Sequence, residues 1–348
     1  MRKKLFRMAT IFAVVLTLVF GNTIQAIACT QIYLGSETTD DGSILWGRSE
    51  DISQSYGKVY TVHPAEDHAS GDQFVSSQGF KMPYPEHTFR YTLVKDQYSN
   101  DRITPEPYGE AGINENGVAV SSSVTLSGGK TEIVGPRNAP GGVDPRVSTN
   151  NGGIEEAEVT SVVLMQATSA RHGVEVLANI YDTYGTATLD GTQIGDANEV
   201  WFMHALSGHQ YVAVRMPADK IGFSPNMTLL GEVDVTDTDN VIASPGLIAK
   251  AVAAGTFVAG PNDDPSSPDA IDGHTTINVT RSYASDPSVS GRLYLGYYYL
   301  KGVDAAKALN ADELDYFIEP RADGKYDLYE AMRFLAYHGN AADAEDGR

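Results

Sequence analysis

An α+β layered sandwich is the fold class this sequence predicts, and three observations carry it. Short alternating strands open the chain after residue 28, two helical periodicities follow one another between residues 155 and 184, and hairpin patterning then returns. Strands, paired helices and strands again favour stacked layers over a doubly wound parallel sheet, in which strand and helix alternate throughout. No internal repeat is visible.

Residues 1–28 stand apart from that pattern. Arg2, Lys3, Lys4 and Arg7 form a basic start, the run 11–20 is apolar, and Ala26-Ile27-Ala28 is the small-x-small pattern that signal peptidase cuts after. The segment reads as a cleavable secretion signal. Signal peptidase is then a maturation partner, and the product is exported to the medium, the cell envelope or the periplasm.

Residues 30–34 carry Ile32, Tyr33 and Leu34 and read as a strand, and 38–42 end in the Asp-Gly step favoured in tight hairpins. Residues 43–48 return as a second strand, which would put Cys29 at a strand end near the loop after Trp46. A third short strand is expected at 59–63. Pro64, Pro83, Pro85, Pro105 and Pro107 make 64–110 an irregular excursion with one strand at 88–94. Residues 113–124 form a hairpin turned by Asn114-Glu115-Asn116-Gly117, and 138–153 are rich in Gly, Pro and Asn and read as a loop.

From Glu155, the positions Val159, Val162, Val163 and Ala167 recur at helical spacing, with Leu164 and Met165 widening the buried face. Val174, Leu177, Tyr181 and Tyr184 mark a second helix. Residues 199–206 and 209–216 pair as a hairpin across Ser207-Gly208, and further helices are expected at 305–309 and 328–337. The domain therefore runs from 29 to 340, with 341–348 as a polar tail.

Composition narrows the function. Removing residues 1–28 leaves 21 basic against 45 acidic residues, a net charge near −24. Such acidity disfavours nucleic acid and anionic membrane surfaces. No later run approaches about 18 uninterrupted apolar residues, so nothing else spans a membrane as a helix. The eight histidines show no paired metal-ligand spacing, and no phosphate-cradling glycine loop appears, so neither a metal nor a cofactor is expected. Asp234, Asp237, Asp239 and Asn240 lack the Gly and distal Glu of a calcium loop. Residues 262–273 read as an acidic linker.

Cys29 is the single cysteine, which excludes an intramolecular disulfide. A cut after Ala28 places its thiol and a free α-amine on one residue. That pair suits an N-terminal nucleophile, in which the thiol attacks and the amine takes its proton. Two other readings stand beside it: a buried small hydrophobe, and an acylated lipoprotein cysteine, for which Ala26 is a poor fit. Arg48 and Asp51 follow the first hairpin. A guanidinium beside sulfur stabilises the thiolate, and a carboxylate steadies the ammonium form of the amine. An exposed Arg/Asp pair is the competing account.

Ala28-Cys29-Thr30, Asp41-Gly42-Ser43 and Gly47-Arg48-Ser49-Glu50-Asp51 together resemble the dipeptidase A family of cysteine N-terminal nucleophile hydrolases, relatives of choloylglycine hydrolase and penicillin V acylase. Gly109-Glu110-Ala111-Gly112-Ile113-Asn114, Gly152-Gly153-Ile154-Glu155-Glu156 and Ser169-Ala170-Arg171-His172-Gly173 are similar to further family segments. So are Asn198-Glu199-Val200-Trp201-Phe202 and the run from Gly208 to Arg215. The likeness is colinear from Cys29 to about residue 340. It implies an αββα four-layer sandwich and hydrolysis of short peptides, with dipeptides as the usual substrates.

Carried over residue by residue, the resemblance makes Cys29 nucleophile and base, Arg48 the thiolate partner and Asp51 the amine partner. Asn226 would face the oxyanion, with a turn asparagine or a glycosylation acceptor as the bland alternatives, and Arg292 joins the site on a looser match. Family members continue well past the helix near residue 337, so the sandwich is expected to lack its C-terminal strands. Alternatives kept open are an amidase of the choloylglycine or penicillin kind, a lipid-anchored binding protein, and a homo-oligomer.

Overall fold

A computed structural model describes residues 28–51, 57–76, 78–96, 109–125, 128–136, 141–285, 287–322 and 324–337, without the side chains of Ala28, Asp51 and Asp96. The expected signal segment 1–28, apart from the Ala28 backbone, and the expected tail 341–348 lie outside the described residues.

Twelve strands build the two main sheets: β1 Ala28–Leu34, β2 Leu45–Asp51, β3 Lys58–His63, β4 Tyr91–Asp96, β5 Gly109–Asn114, β6 Ala119–Val124, β7 Asp190–Gly195, β8 Val200–Ala205, β9 Tyr211–Arg215, β10 Ile221–Pro225, β11 Val241–Ala243 and β12 Phe317–Ile318. Five helices matter for the site: α1 Glu156–Leu164, α2 Ala170–Tyr184, α3 Leu247–Ala254, α4 Gly291–Lys301 and α5 Leu328–Leu335. The large sheet runs β11-β9-β8-β7-β6-β5-β4-β3 and the small one β12-β10-β1-β2, antiparallel throughout.

Strand alternation sorts side chains into three buried layers. In β8, Trp201, Met203 and Ala205 pack beneath α1 and α2 with Val159, Val162, Leu177 and Tyr181. Val200 and Phe202 on the other face meet Tyr33 of β1 between the sheets. Ile32 and Leu34, the neighbours of Tyr33, point away from it and join Phe223 of β10, Leu293 of α4 and Phe334 of α5. Helices, sheet, sheet, helices: the order is αββα, the four-layer arrangement that the resemblance implied. The large sheet outruns the small one at β3, where Tyr60 is 67% exposed and Val62 60%.

Local chemistry explains the two central helices. Glu158 reaches back from the first turn of α1 to accept the Glu155 N–H at 2.9 Å, satisfying a donor that the helix cannot. Ser169 caps α2 by accepting from the His172 N–H at 3.2 Å. The first start was expected at Glu155, whereas the second helix, read from Val174 onward, begins earlier, at Ala170.

Other expectations need correction. The second strand runs through Asp51, so no loop follows Trp46, and Cys29 pairs with Glu50 instead. The excursion 64–110 is more ordered than expected. It holds β4 at Tyr91–Asp96 and two small ribbons, Glu66–Asp67 with His87–Thr88 and Gln73–Val75 with Lys81–Pro83. Residues 262–273 are no loose linker: Asp263 accepts from the Thr275 N–H at 2.8 Å and from His274 Nδ1 at 2.7 Å, and Asn262 donates to Glu232 at 2.8 Å.

Gly296 of α4 packs against Phe223, and a Cβ there would enter the van der Waals envelope of that ring. Gly296→Ala gains about 1 kcal/mol of helix propensity. The overpacking costs about 1–3 kcal/mol, so urea unfolding should show a net loss, and a clear gain would contradict this packing. Burial pushes the Glu158 carboxyl up from 4.5 to about 7. The folded state therefore binds the extra proton between those values, and this group's contribution to stability falls as pH rises through that window. Melting temperatures across pH should show Glu158→Gln flattening that slope, whereas an unchanged slope would contradict the assignment.

Candidate active site

Four strands converge on Cys29. β1 lies between β2 and β10, and the register that pairs Thr30 with Pro225 brings Asn226 alongside Cys29. The Asn226 N–H donates to the Cys29 carbonyl at 3.2 Å. Its side-chain Oδ1 accepts from the Cys29 nitrogen at 2.5 Å and from Arg292 Nη2 at 3.1 Å. Nδ2 donates to the Val124 carbonyl at 2.7 Å and to Ser123 Oγ at 3.2 Å. Only an oxygen can take the first two and only a nitrogen can serve the Val124 carbonyl, so the amide has one orientation.

Arg292 is the second residue of α4, whose N-cap Ser290 accepts from the Leu293 N–H at 3.1 Å. Its Nη1 donates to the Cys29 carbonyl at 2.8 Å. The loosest transfer from the family resemblance therefore lies against the cysteine itself. The sequence concealed this helix because its glycines and tyrosines are poor helix formers, and packing against β10 decides it.

On the thiol side stands Arg48, paired in register with Gln31. Its guanidinium donates to the Ser122 carbonyl and to Glu110 Oε2. Glu156 Oε1, on the first residue of α1, lies 3.5 Å from Nη1. The Arg48, Glu110 and Glu156 side chains are 5%, 8% and 6% exposed. Lys58 bridges outward, 3.2 Å from Glu110 Oε1 and paired with Glu50. An exposed Arg/Asp pair is therefore not what Arg48 belongs to. Asp51 pairs through its backbone with Ala28, immediately before Cys29; its side chain lies outside the described atoms.

Burial pushes the Cys29 thiol above its ordinary value. The Arg48 charge pulls it down, Glu156 pushes it up, a Ser123 hydrogen bond pulls it down and Glu110 pushes it up. Arg48 acts in the expected direction, but burial and the two carboxylates outweigh it. A thiol held neutral at rest needs a base before it attacks. Ser123, Glu110 and Glu156 were not singled out as site residues. Both glutamates lay inside the segments carrying the resemblance, but their convergence on Arg48 joins strands and a helix far apart in the chain. Among the described residues no cluster of His, Cys, Asp and Glu could hold a metal ion.

Residues 28–266, starting at the residue before this cysteine, match the family described as Peptidase family C69. The chain belongs to that family. A protein named "Probable dipeptidase B" from Streptococcus pyogenes serotype M1 is 31% identical over 322 residues, covering 92% of this chain and 59% of the relative. A "Probable dipeptidase" from Salmonella dublin is 34% identical over 233 residues, 67% of this chain and 51% of that one. The chain thus spans about three-fifths of the length of the first of these relatives. Among solved structures, a conjugated bile acid hydrolase variant from Clostridium perfringens is 15% identical over 88% of this chain and 78% of its own, with a TM-score of 0.35. A likeness at that level carries no argument, and the four layers stand on the packing of this chain.

For this C69 family member the buried guanidinium is testable directly. Arg48→Met strips two buried carboxylates of their partner and should cost about 3–5 kcal/mol. It should also slow iodoacetamide alkylation of Cys29 at pH 8, because the thiol loses the Arg48 charge that pulls it down. Arg48→Lys should recover part of both. A stability loss below about 1 kcal/mol, as for an exposed pair, with an unchanged alkylation rate would contradict the geometry.

Proposed function

We propose that the chain is an exported cysteine dipeptidase whose nucleophile is released by cleavage after Ala28. The observation carrying this reading is that the two reactive atoms of Cys29 have separate, dedicated surroundings. The nitrogen faces Asn226 Oδ1 at 2.5 Å, and the thiol sits in a pocket that keeps it protonated. Cleavage converts that nitrogen into a primary amine with a reference pKa of about 7.7–8.0, a competent base near neutrality. The dipeptidase names of the relatives support the substrate class.

In this mechanism the amine takes the thiol proton and the thiolate attacks the carbonyl carbon of a short peptide. Asn226 Oδ1 and Asp51 hold the resulting ammonium. The Nδ2 hydrogen of Asn226 that meets Ser123 Oγ at 3.2 Å lies on the thiol side, and it turns to the developing oxyanion together with backbone N–H donors. The ammonium then protonates the leaving amine as the C–N bond breaks, leaving a thioester on Cys29. Water attacks that thioester with the amine again as base, and the free acid departs. The proton taken from water passes to the departing thiolate, so thiol and amine are restored while one peptide bond and one water become an acid and an amine, and no cofactor takes part. Arg48 moderates the cost of the thiolate, and Arg292 holds the Cys29 carbonyl so that the residue does not turn.

A preparation shown by mass spectrometry to retain residues 1–28 should be inactive, because a peptide nitrogen is no base. The processed form should cleave dipeptides, and Cys29→Ser should lose most turnover while keeping its fold, because a hydroxyl is a far weaker nucleophile near pH 7. Full activity in the unprocessed protein, or in the serine variant, would sink the mechanism.

A further inference from the structure

Glu156 has no part in the steps above, yet one of its oxygens joins both halves of the site. Oε1 accepts the Val124 N–H at 2.8 Å and lies 3.5 Å from Arg48 Nη1. Val124 ends β6, and its carbonyl receives the 2.7 Å hydrogen bond that aims the Asn226 amide at the Cys29 nitrogen. The two preceding residues share the work: the Ser122 carbonyl accepts from Arg48, and Ser123 bonds both Asn226 and the thiol. The strand end 122–124 is thus a template touched on one side by the thiol's machinery and on the other by the nitrogen's. Glu156 ties it to Arg48. The backbone N–H of Glu156 is in turn held by Thr188 Oγ1 at 2.8 Å.

We propose that Glu156 is a positioning residue for the Cys29 centre, holding Arg48 and residues 122–124 in the one arrangement that presents thiol and nitrogen together. The inference rests on the reading of Cys29 as nucleophile. Electrostatics makes the role testable, because the Glu156 charge works against the chemistry it supports by pushing the thiol towards its neutral form.

Among the described residues, Arg48 from β2 and Glu110 from β5 act on the thiol, Asp190 from β7 and Tyr181 from α2 feel the Glu156 charge, and Glu155 at the start of α1 acts on Asp190. Arg146 pulls Asp190 down, but burial and Glu156 push that carboxyl well above its ordinary range. Glu156→Gln removes one of those upward pushes, so Glu156→Gln/Asp190→Asn is measured beside it to keep a newly ionised Asp190 from masking the effect.

Two variants of the processed protein separate position from charge. Glu156→Gln removes the charge, and with it the ion pair that holds Arg48, while its amide oxygen is still an acceptor for the Val124 N–H. Alkylation of Cys29 at pH 7 should rise about threefold or more as the thiol titrates at lower pH. The kcat on a dipeptide should meanwhile fall about ten- to a hundredfold through misplacement. Glu156→Asp keeps the charge but withdraws the oxygen by one methylene, so its alkylation profile should stay near wild type while kcat falls.

A role confined to folding would lower both readouts in step with thermal stability, and that result overturns the proposal. So does Glu156→Asp with wild-type turnover, or Glu156→Gln with both readouts unmoved. Should the processed wild type fail to cleave any dipeptide, the dipeptidase reading fails by itself. The alkylation profile of Glu156→Gln then decides, and one equal to wild type overturns the proposal.

Discussion

One buried cation organises this molecule. The Arg48 guanidinium is enclosed by Glu110 from the large sheet, Glu156 from the helix layer above it and the Ser122 carbonyl, while Arg48 itself belongs to the small sheet. Its contacts therefore cross the interface between the sheets. Taking such charges out of water is expensive, and an apolar replacement of the whole cluster would often fold as well or better. Breaking one member alone leaves an uncompensated charge. The cluster thus fixes how the small sheet lies on the large one more than it adds net stability, and Cys29, two residues before the Gln31 that pairs with Arg48, is carried into register with it.

The rest of the site follows from that alignment. With β1 between β2 and β10, the thiol meets groups on the large sheet, and the nitrogen meets Asn226 where β10 ends at Pro225. Arg292 closes the site from the outer helix layer by holding the Cys29 carbonyl. The thiol and nitrogen of one residue are thereby kept in different environments, one buried among opposing charges, the other facing the Asn226 amide. A histidine-based pair would need two side chains aligned across the fold. Here the separation is built into a single backbone position.

How much of this was legible in the sequence depended on the range of the contacts. The α1 and α2 periodicities and the β8–β9 hairpin are local, and each stands where the residues implied. β7 was missed because Asp190, Gly191, Thr192, Gln193 and Gly195 do not look like a buried strand, although all are buried; Gln193 gains its place by donating to the Ile32 carbonyl at 3.0 Å. β10 is short and buried throughout, so it shows no alternation. Tyrosines and glycines hid α4, and with it the reason Arg292 reaches Cys29. Asn226 and Arg292 were named from resemblance, whereas Ser123, Glu110 and Glu156 depend on pairings across the chain that no spacing reveals.

The account rests on a thiol that stays protonated until a neighbouring amine exists. Because Cys29 is the only cysteine, the ultraviolet absorbance of its thiolate can be titrated without interference from another thiol. The decisive measurement is that titration on the unprocessed and the processed protein side by side. In the unprocessed form the thiolate should emerge only above the ordinary thiol value of about 8.5, and in the processed form the curve should change shape as thiol and α-amine titrate as a coupled pair. A thiol already ionised at neutral pH in the unprocessed protein, with the same curve after cleavage, would contradict it.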